Sequence, residues 1–393
     1  MAPVITTSAR SNALNLQGII VPQAAVDPEA FFRLTRRQRI QIKSNITWQG
    51  HGAREIVDLP AVGIVSALVV TVKGTITIAT AAATPSYRWP YDLIKQITLS
   101  ANGQSNLISV SGAKLKVREM MKDNHFTDRG VANNIGGTSR TQGTLALAAE
   151  SWGMSPGNST STGTYTFELS FEVPVSFDQQ YLTGAIFAQT SSTQLQMQIE
   201  WNTVAALVST NPGNVTFSAV TYTVEGEIFP VPYDNGVAIV PDLSTFHFLT
   251  QVTDTKLAVG ENEYRIMGQG IGKQLMRLYF QVWNNGINGQ PLALSTANFP
   301  SVGWRFGGSE MPEKYLGGGL LLAENERNYN CPIGQWWGFA SLDWAVANAF
   351  RDSIDEGLAS ELRFFFELAS GTTVSAPGVE YVREELMAAP VAV

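Results

Sequence analysis

The stretch from Tyr165 to Trp201 carries the clearest pattern of hydrophobic and polar positions in the chain. In two segments, 165–173 and 195–201, apolar side chains occupy every second position and polar side chains fill the gaps. A period of two residues is typical of a strand with one buried and one solvated face. The two segments therefore predict two strands of an antiparallel sandwich or barrel.

Two short helices are predicted from other local patterns. Between the two strands, Asp178 is a candidate N-cap, and Leu182, Ala185 and Ile186 follow it at helical spacing, which predicts a helix over 178–188. A second short helix is predicted near the end of the segment 107–121.

Further segments predict more short strands. Ile40–Trp48 alternates like a strand, and Ile64–Ile78 predicts a pair of strands that meet near Gly74. Tyr91–Ser100 predicts another strand, and the Asn-Gly pair at 102–103 that follows it favours a hairpin.

The second half of the chain repeats the order of elements of the first half. One part of the repeat has an offset of 210 residues, which aligns Val70 with Phe280, and a later part has an offset of 167 residues, which aligns Leu195 with Leu362. In the later part a helix over 352–358 is expected to match the one over 178–188. The two offsets differ by about the length of the segment 130–164, in which 18 of 35 residues are Gly, Ser or Thr. An internal duplication with one enlarged loop explains both offsets.

Many short strands, two similar halves and no long helix favour an all-β fold of two tandem eight-stranded jelly rolls, with short connecting helices and an N-terminal arm. We assign the arm to residues 1–50 and the first jelly roll to 51–232, with its enlarged loop near 130–164. The second jelly roll is assigned to 233–382 and a C-terminal tail to 383–393. The boundary at 232 lies in a proline-rich passage that contains Pro230, Pro232 and Pro241.

The arm is predicted to contain a short basic helix. Asp27 is a candidate N-cap and Pro28 suits the first helical position. Apolar residues then fall on one side of the helix and arginines on another, which is typical both of an ordinary packed helix and of a helix that lies on an anionic surface. The candidate contact residues of this arm are Phe31, Phe32, Arg33, Arg36, Arg37 and Arg39.

Composition narrows the classes of function. Charged residues make up only 15% of the 393 residues, against roughly 25% in an average soluble domain, so we expect much of the neutral polar surface to be buried against other subunits. The net charge of −7 disfavours a general nucleic-acid binder, although residues 1–43 carry six Arg or Lys against two acids. The first 17 residues lack the features of a signal peptide and no apolar run reaches membrane-spanning length, so we expect a soluble protein made in the cytoplasm.

Three runs of residues resemble a known family. They are YDLIKQITLSANGQ at 91–104, FDQQYLTGAIFAQTSSTQLQMQIEW at 177–201 and PDLST at 241–245. Together with the chain length and the order of elements, they are similar to the double jelly-roll major capsid proteins of tailless icosahedral viruses with an internal membrane, of the tectivirus type, in the lineage of the adenovirus hexon. The resemblance covers the chain from about residue 50 onward, whereas the first 26 residues depart from it.

The resemblance implies a structural protein of the virion, made in the host cytoplasm, without enzymatic activity. It implies a homotrimer whose six jelly rolls form a pseudo-hexagonal capsomer, which contacts neighbouring capsomers and the penton and minor capsid proteins. Loops such as 130–164 and 303–330 would form outward towers or clasps. The arm would face inward, near the internal lipid membrane, and no direct contact with nucleic acid is expected.

Candidate chemistry is sparse, and we expect no catalytic, metal or cofactor site. His51, His125 and His247 have no metal-binding spacing, and the only cysteine, Cys331, is expected to be a buried apolar residue. The glycines before Lys273 lack the Ser or Thr of a phosphate loop. Two acidic groups could hold a cation but fit a solvated surface better; they are Asp352, Asp355 and Glu356, and Glu384 and Glu385.

Two other classes of function stay open at this point. Trp336 and Trp337 are candidate aromatics for an interface or for stacking on sugar, which would suit a tandem jelly-roll spike that binds glycan or a receptor. An amidase or glycosidase built on paired jelly rolls would need two carboxylates at a cleft, and no motif marks such a pair.

Overall fold

The computed structural model of the chain describes residues 24–101, 104–123, 153–154, 156–189, 194–255, 257–267, 273–284, 291–306, 310–329, 338–345, 353–355, 361–372 and 375–388. Most of these residues lie in β-strands, with short helices between them.

The first half of the chain consists of short strands interrupted by three short helices. In chain order these elements are β1 Ala24–Val26, α1 Pro28–Leu34, β2 Gln38–Thr47, β3 Arg54–Asp58, β4 Ile64–Ile78, β5 Thr84–Pro85, β6 Ile94–Ala101, β7 Gln104–Val110, α2 Gly112–Asp123, β8 Gly163–Pro174, β9 Ile186–Phe187, β10 Leu195–Trp201, α3 Val204–Leu207, β11 Val208–Thr210 and β12 Val215–Phe229. Single 3-10 turns occur at Tyr91–Leu93 and Pro212–Asn214.

The second half begins after a connection that contains two short strands, β13 Tyr233–Asp234 and β14 Val237–Val240. Its elements are β15 Thr245–Asp254, β16 Gly260–Met267, β17 Lys273–Trp283, β18 Ser301–Phe306, β19 Glu310–Tyr315, α4 Gly318–Tyr329, β20 Phe339–Asp343, β21 Ile354–Asp355, β22 Leu362–Leu368 and β23 Gly378–Ala388.

Each half forms a jelly roll with the same strand order. In the first half one sheet has the order β2-β12-β4-β8 and the other β3-β10-β6-β7; in the second half the orders are β15-β23-β17-β20 and β16-β22-β18-β19. When the strands are taken in chain order, the two halves match strand for strand. The predicted fold of two tandem jelly rolls is therefore confirmed.

The two jelly rolls share one continuous sheet. Strand β7 of the first jelly roll pairs in parallel with β15 of the second, with Ile108 opposite Leu249. This pairing joins β3-β10-β6-β7 to β15-β23-β17-β20. The joint therefore rests on backbone hydrogen bonds as well as on side chains.

The internal duplication is visible in the strand pairing. Val70 of β4 lies opposite Val224 of β12, and Phe280 of β17 lies opposite Tyr381 of β23. These strands occupy the same places in the two jelly rolls, so the alignment of Val70 with Phe280 is correct. Leu195 and Leu362 likewise lie in corresponding strands, β10 and β22.

The alternating stretch at 165–201 forms strands as predicted, but the predicted helix between them is wrong. The apolar residues of β8 and β10 point into the core, and Phe167, Leu169, Met197 and Ile199 are fully buried. In the segment 178–188 the chain instead makes turns and then the strand β9, which pairs with β4. The carboxylate of Asp178 accepts a hydrogen bond from the N–H of Tyr181 at 2.6 Å. The helix does not continue because Leu182 has a φ of 59°, outside the helical region.

The segment 64–78 is one continuous strand, so the predicted division near Gly74 is wrong. Strand β4 pairs with β8 along its length on one side and with β12 on the other. A Cβ at Gly74 would lie 2.8 Å from the Phe167 ring and from Val220. The glycine therefore lets neighbouring side chains close over the strand, and it makes no turn.

Three predicted boundaries or elements differ from the structure. The arm assigned to 1–50 includes β2, which pairs with β12 as a full member of the first jelly roll. The tail assigned to 383–393 begins inside β23, whose pairing with β15 extends to Ala388. Of the helix expected over 352–358, the structure describes 353–355, and there Ile354–Asp355 is a short strand paired with β17. In each case backbone pairing to a distant strand decides the conformation.

The hairpin and the helix near 107–121 are present. Ala101 pairs with Gln104 across the turn between β6 and β7. Helix α2 follows β7 and is buried on all sides that the structure describes. Of the enlarged loop near 130–164, residues 153–154 and 156–164 lie among the described residues and the remainder lies outside them.

Candidate functional site

Helix α1 covers one end of the first jelly roll, where β4 begins and β12 ends. The side chain of Asp27 accepts a hydrogen bond from the N–H of Ala30 at 2.9 Å, and Pro28 occupies the first turn, so the predicted helix start is confirmed. The ring of Phe31 is fully buried in an apolar cluster. We call this end of the molecule the base, defined by the cluster Phe31, Ile64, Leu182, Phe229, Val231 and Val240.

Exposed aromatic and apolar side chains surround the base. Tyr181 precedes the buried Leu182, Tyr233 closely follows Val231, and Leu34 ends the helix. Each of Leu34, Tyr181 and Tyr233 is more than half exposed in the chain. Such residues next to a fully packed cluster mark a surface that suits a further partner.

The predicted basic helix is shorter than expected. It ends at Leu34, because Thr35 adopts an extended backbone conformation and its hydroxyl donates a hydrogen bond to the carbonyl of Pro230 at 2.7 Å. Arg33 therefore lies on the helix, whereas Arg36 lies beyond it. Both arginines are exposed, and Phe32 is half-buried.

The other two candidate arginines of the arm are paired with the first jelly roll. Arg37 lies 3.4 Å from Glu227, and Arg39 lies 2.5 Å from Glu225. Both acids belong to β12, and Arg39 belongs to β2. The structure thus places the six predicted residues on a helix, a three-residue connection and a strand.

A second region that sequence reasoning missed lies between the two jelly rolls. Helix α2 of the first jelly roll lies against the outer face of β23 of the second jelly roll. The ammonium of Lys114 and the guanidinium of Arg88 both bond to the Glu380 carboxylate; the Arg88 distance is 2.6 Å. Arg88 also donates to Gln281 at 3.0 Å. All of these side chains are buried.

A second carboxylate on the same strand forms a parallel cluster one helical turn along α2. Glu384 accepts hydrogen bonds from Arg118 at 2.7 Å and from Arg277 at 2.9 Å, and it lies 3.0 Å from the Nε2 of His247. Arg277 also bonds to Asp343 at 2.9 Å. We call the two clusters around Glu380 and Glu384 the ionic junction.

The charges of the ionic junction shift the pKa values of its carboxylates. Burial raises the pKa of Glu380, but Lys114 and Arg88 together oppose it and lower the pKa to about 2. Burial likewise raises the pKa of Glu384, but Arg118 and Arg277 together lower it well below its usual range. Both carboxylates therefore stay ionised at neutral and mildly acidic pH.

Glu384 and Glu385 do not lie on a solvated surface, the preferred interpretation of their sequence, because both side chains are buried. Glu384 is occupied by two arginines and a histidine, and Glu385 lies 3.1 Å from Lys273. The one available sequence signal was the repeat of Glu380, Val382 and Glu384 on one face of a strand, which is also the pattern of a solvated face. Among the residues that the structure describes, no group of three or more His, Cys, Asp or Glu side chains could hold a metal ion.

The remaining candidate residues divide between the core and the part outside the described ranges. His51 packs against Trp48 and Phe217, and its Nδ1 lies 2.8 Å from the carbonyl of Asn202. His247 is buried in the ionic junction. The residues outside the described ranges are His125, Cys331, Trp336, Trp337, Asp352 and Glu356. No helix within the described ranges is long and apolar enough to cross a membrane.

Comparison with known proteins supports the fold independently. Neither a family model nor a characterised protein matches the sequence, whereas solved structures match over nearly the whole chain. The major capsid protein of Sulfolobus turreted icosahedral virus aligns with a TM-score of 0.64 at 15% identity and covers 91% of this chain and 98% of its own. The faustovirus major capsid protein aligns with a TM-score of 0.56 at 10% identity, and the alignment covers 91% of each chain. The major capsid protein P2 of bacteriophage PM2 aligns with a TM-score of 0.51 at 9% identity, and the alignment covers 90% of this chain and 98% of P2.

These matches define the class by its fold. The chain is a double jelly-roll protein, with the architecture of the major capsid proteins of icosahedral viruses. The resemblance predicted from three short runs of sequence is thus confirmed for the fold.

Removing one carboxylate of the ionic junction should destabilise the protein strongly. We expect Glu384→Gln to cost roughly 3–5 kcal/mol, because the buried Arg118 would lose the carboxylate that it bonds to and the buried Arg277 would keep only Asp343 of its two carboxylate partners. Chemical denaturation followed by tryptophan fluorescence measures the change in unfolding free energy.

Glu200→Gln is the matched control for this variant. Glu200 also pairs with two cations, Lys95 and Arg54, but their side chains are 58% and 66% exposed, so we expect a loss of at most about 1 kcal/mol. Equal losses in the two variants would contradict a special role for the ionic junction.

The ionic junction should also set the acid limit of the fold. The pKa values of Glu380 and Glu384 are lower in the folded chain than the value of about 4.3 in an unfolded chain. Their contribution is therefore complete above about pH 4.3 and is lost as the pH falls toward 2. Burial lowers the pKa of His247, so the folded chain also loses stability through this residue as the pH falls below about 6.5. The melting temperature measured from pH 7 to pH 2 should fall steeply in the parent protein and less steeply in Glu384→Gln.

Proposed function

We propose that this chain is the major capsid protein of an icosahedral virus and forms part of its virion shell. The observation that carries the proposal is the double jelly roll, which aligns over about nine-tenths of the chain with major capsid proteins. The proposed role is structural and includes no catalytic step.

The internal architecture suits a building block of a shell. The shared sheet and the ionic junction fix two jelly rolls rigidly within one chain. Three such chains supply six similar units, so a homotrimer can fill a nearly hexagonal site in an icosahedral lattice. We therefore propose a homotrimeric capsomer that contacts neighbouring capsomers and the penton and minor capsid proteins of the shell.

The purified chain is expected to be a stable homotrimer at micromolar concentration, because subunit contacts should contribute much of its stability. Native mass spectrometry and sedimentation velocity measure the mass, and negative-stain images should contain pseudo-hexagonal particles. A monodisperse monomer would contradict the proposal. Binding to a glycan array by such a monomer would instead favour a receptor-binding spike.

We further propose that the base faces a lipid membrane inside the shell. Support comes from exposed Arg33 and Arg36 beside exposed Leu34, Tyr181 and Tyr233. Tyrosines favour the interface between lipid and water, and arginines are attracted to anionic headgroups. Phe31 and Phe32 would fix the helix that presents this surface.

Reversing the charge of the arm should weaken membrane binding. We expect Arg33→Glu, Arg36→Glu and Arg37→Glu combined to reduce binding to vesicles that contain phosphatidylserine, most strongly at low salt, because the attraction is electrostatic. Vesicle co-sedimentation at several salt concentrations measures the effect.

The control for the arm variant carries the same change in net charge on cations away from the base, namely Arg54→Glu, Lys95→Glu and Arg265→Glu, three exposed positions that lie outside β2, β12, β4 and β8. If both triple variants lose binding equally, the effect reflects net charge alone. If the parent protein ignores vesicles at low salt, the base contacts protein rather than lipid.

A further inference from the structure

Helices α2 and α4 occupy equivalent places in the two jelly rolls. Each follows corresponding strands, β7 and β19, and each begins at a glycine. A Cβ at Gly112 would lie 2.6 Å from the carbonyl oxygen of Tyr91, and a Cβ at Gly318 would lie 3.1 Å from the Cβ of Phe299. Tyr91 and Phe299 both lie just before corresponding strands, β6 and β18. The two glycines therefore align the helices residue by residue, with an offset of 206.

The outer stripe of α2 is covered within the chain. Lys114, Val117 and Met121 are all buried, and Lys114 bonds to Glu380 of the second jelly roll. The aligned residues of α4 are Leu320, Ala323 and Arg327, and all three are exposed. Leu320 is 55% exposed, and Leu316, just before the helix, is 70% exposed. We call Leu316, Leu320, Ala323 and Arg327 the α4 stripe.

The sheet faces that would receive these helices differ in the same way. Under α2, the outward residues of the second jelly roll, such as Tyr279, Glu380 and Val382, are fully buried. Val70 pairs with Val224 in the first jelly roll, and Phe280 pairs with Tyr381 at the same place in the second. Counted from these two pairs, Tyr279 aligns with Val69, Glu380 with Thr223 and Val382 with Glu225. These three outward residues of β4 and β12 are only half-buried. Within the described ranges, the α4 stripe is thus exposed and the outward residues Val69, Thr223 and Glu225 are less buried than their counterparts; we call the outward side of β2, β12, β4 and β8 the receiving sheet face.

At one position where the α4 stripe differs in charge from the outer stripe of α2, the receiving sheet face differs from its counterpart at the aligned position. In the chain, Lys114 pairs with Glu380; the aligned residues are Leu320 and Thr223, and both are uncharged. The replacement of this ion pair by two uncharged groups leaves no lone charge to bury at this position of either surface.

The second ion pair of the ionic junction is replaced by two acids. Arg118 pairs with Glu384, and the aligned residues are Glu324 and Glu227. Glu227 already pairs with Arg37, whose side chain is 57% exposed and can accept a second acid. The two acids would therefore lie on either side of the exposed Arg37, whose positive charge offsets their repulsion.

We propose that the α4 stripe of one copy docks on the outer face of the β2-β12-β4-β8 sheet of the next copy. The contact joins different surfaces of the two copies, and such head-to-tail contacts form rings when the rotation closes. The inference rests on the proposed homotrimer and specifies which surfaces hold it together.

Charges placed in the α4 stripe should separate the copies without unfolding them. For the double variant Leu316→Asp and Leu320→Asp we expect the concentration of half-dissociation to rise about tenfold or more, because anchor residues in a contact dominate its affinity. Val259→Asp changes an apolar residue that is 46% exposed elsewhere on the second jelly roll and should have no such effect. Sedimentation measures dissociation, and the melting curve of the monomer tests that the fold is intact.

Crosslinking tests the docking directly, without destabilising it. A protein with Leu320→Cys and Thr223→Cys, in a Cys331→Ser background, should form covalent dimers and trimers with a short bismaleimide. The matched pair Val259→Cys and Thr223→Cys should not. Specific crosslinks together with dissociation of the aspartate variant would support the proposal.

The outcomes separate this inference from the proposed function. A parent trimer that keeps its mass in the aspartate variant and does not crosslink overturns the docking surface and leaves the capsid proposal in place. A parent protein that is monomeric overturns both.

Discussion

The contact between helix α2 and strand β23 is the constraint on which the architecture depends. It places Lys114 and Arg118 against Glu380 and Glu384 in a region closed to water. Apolar residues of the second jelly roll, including Leu249, Tyr279 and Val382, join the core of the first around this contact, and their burial supplies adhesion. Buried ion pairs add little net stability compared with apolar groups, but a misplaced charge is costly. The ionic junction therefore serves chiefly to fix one relative position of the two jelly rolls.

The sequence predicts the parts of the fold that depend on local alternation. The strands around Phe167 and Met197 were predictable because their inward residues are apolar and their outward residues are polar. The segment 178–188 has helical spacing, but the positive φ of Leu182 and the pairing of β9 with β4 prevail. Strand β2 was predicted as a strand from its alternation but assigned to the arm, whereas it pairs with β12 and its Arg39 bonds to Glu225 of that strand.

The functional surfaces were harder to predict for a similar reason. Lys114 and Glu380 are 266 residues apart, and a polar residue at every second position of a strand normally indicates a solvated face. Only the topology reveals that this face is covered by a helix of the other half. At the base, by contrast, the cap at Asp27 follows from local signals and could be anticipated, whereas Phe31, a candidate contact residue of the arm, is buried within the chain.

The difference between α2 and α4 has a physical basis in how each contact forms. Within a chain, α2 and β23 are covalently tethered, so their charges are desolvated once, during folding. A contact between copies forms from separate chains in water, and every association would have to desolvate exposed charges again while also losing the freedom of two bodies. Apolar residues such as Leu316 and Leu320 avoid that desolvation and tolerate small errors of alignment, because burial of apolar surface has no preferred direction. In the proposed docking, the duplicated scaffold thus uses buried charge to fix the two jelly rolls of one chain and two exposed leucines to anchor the next copy.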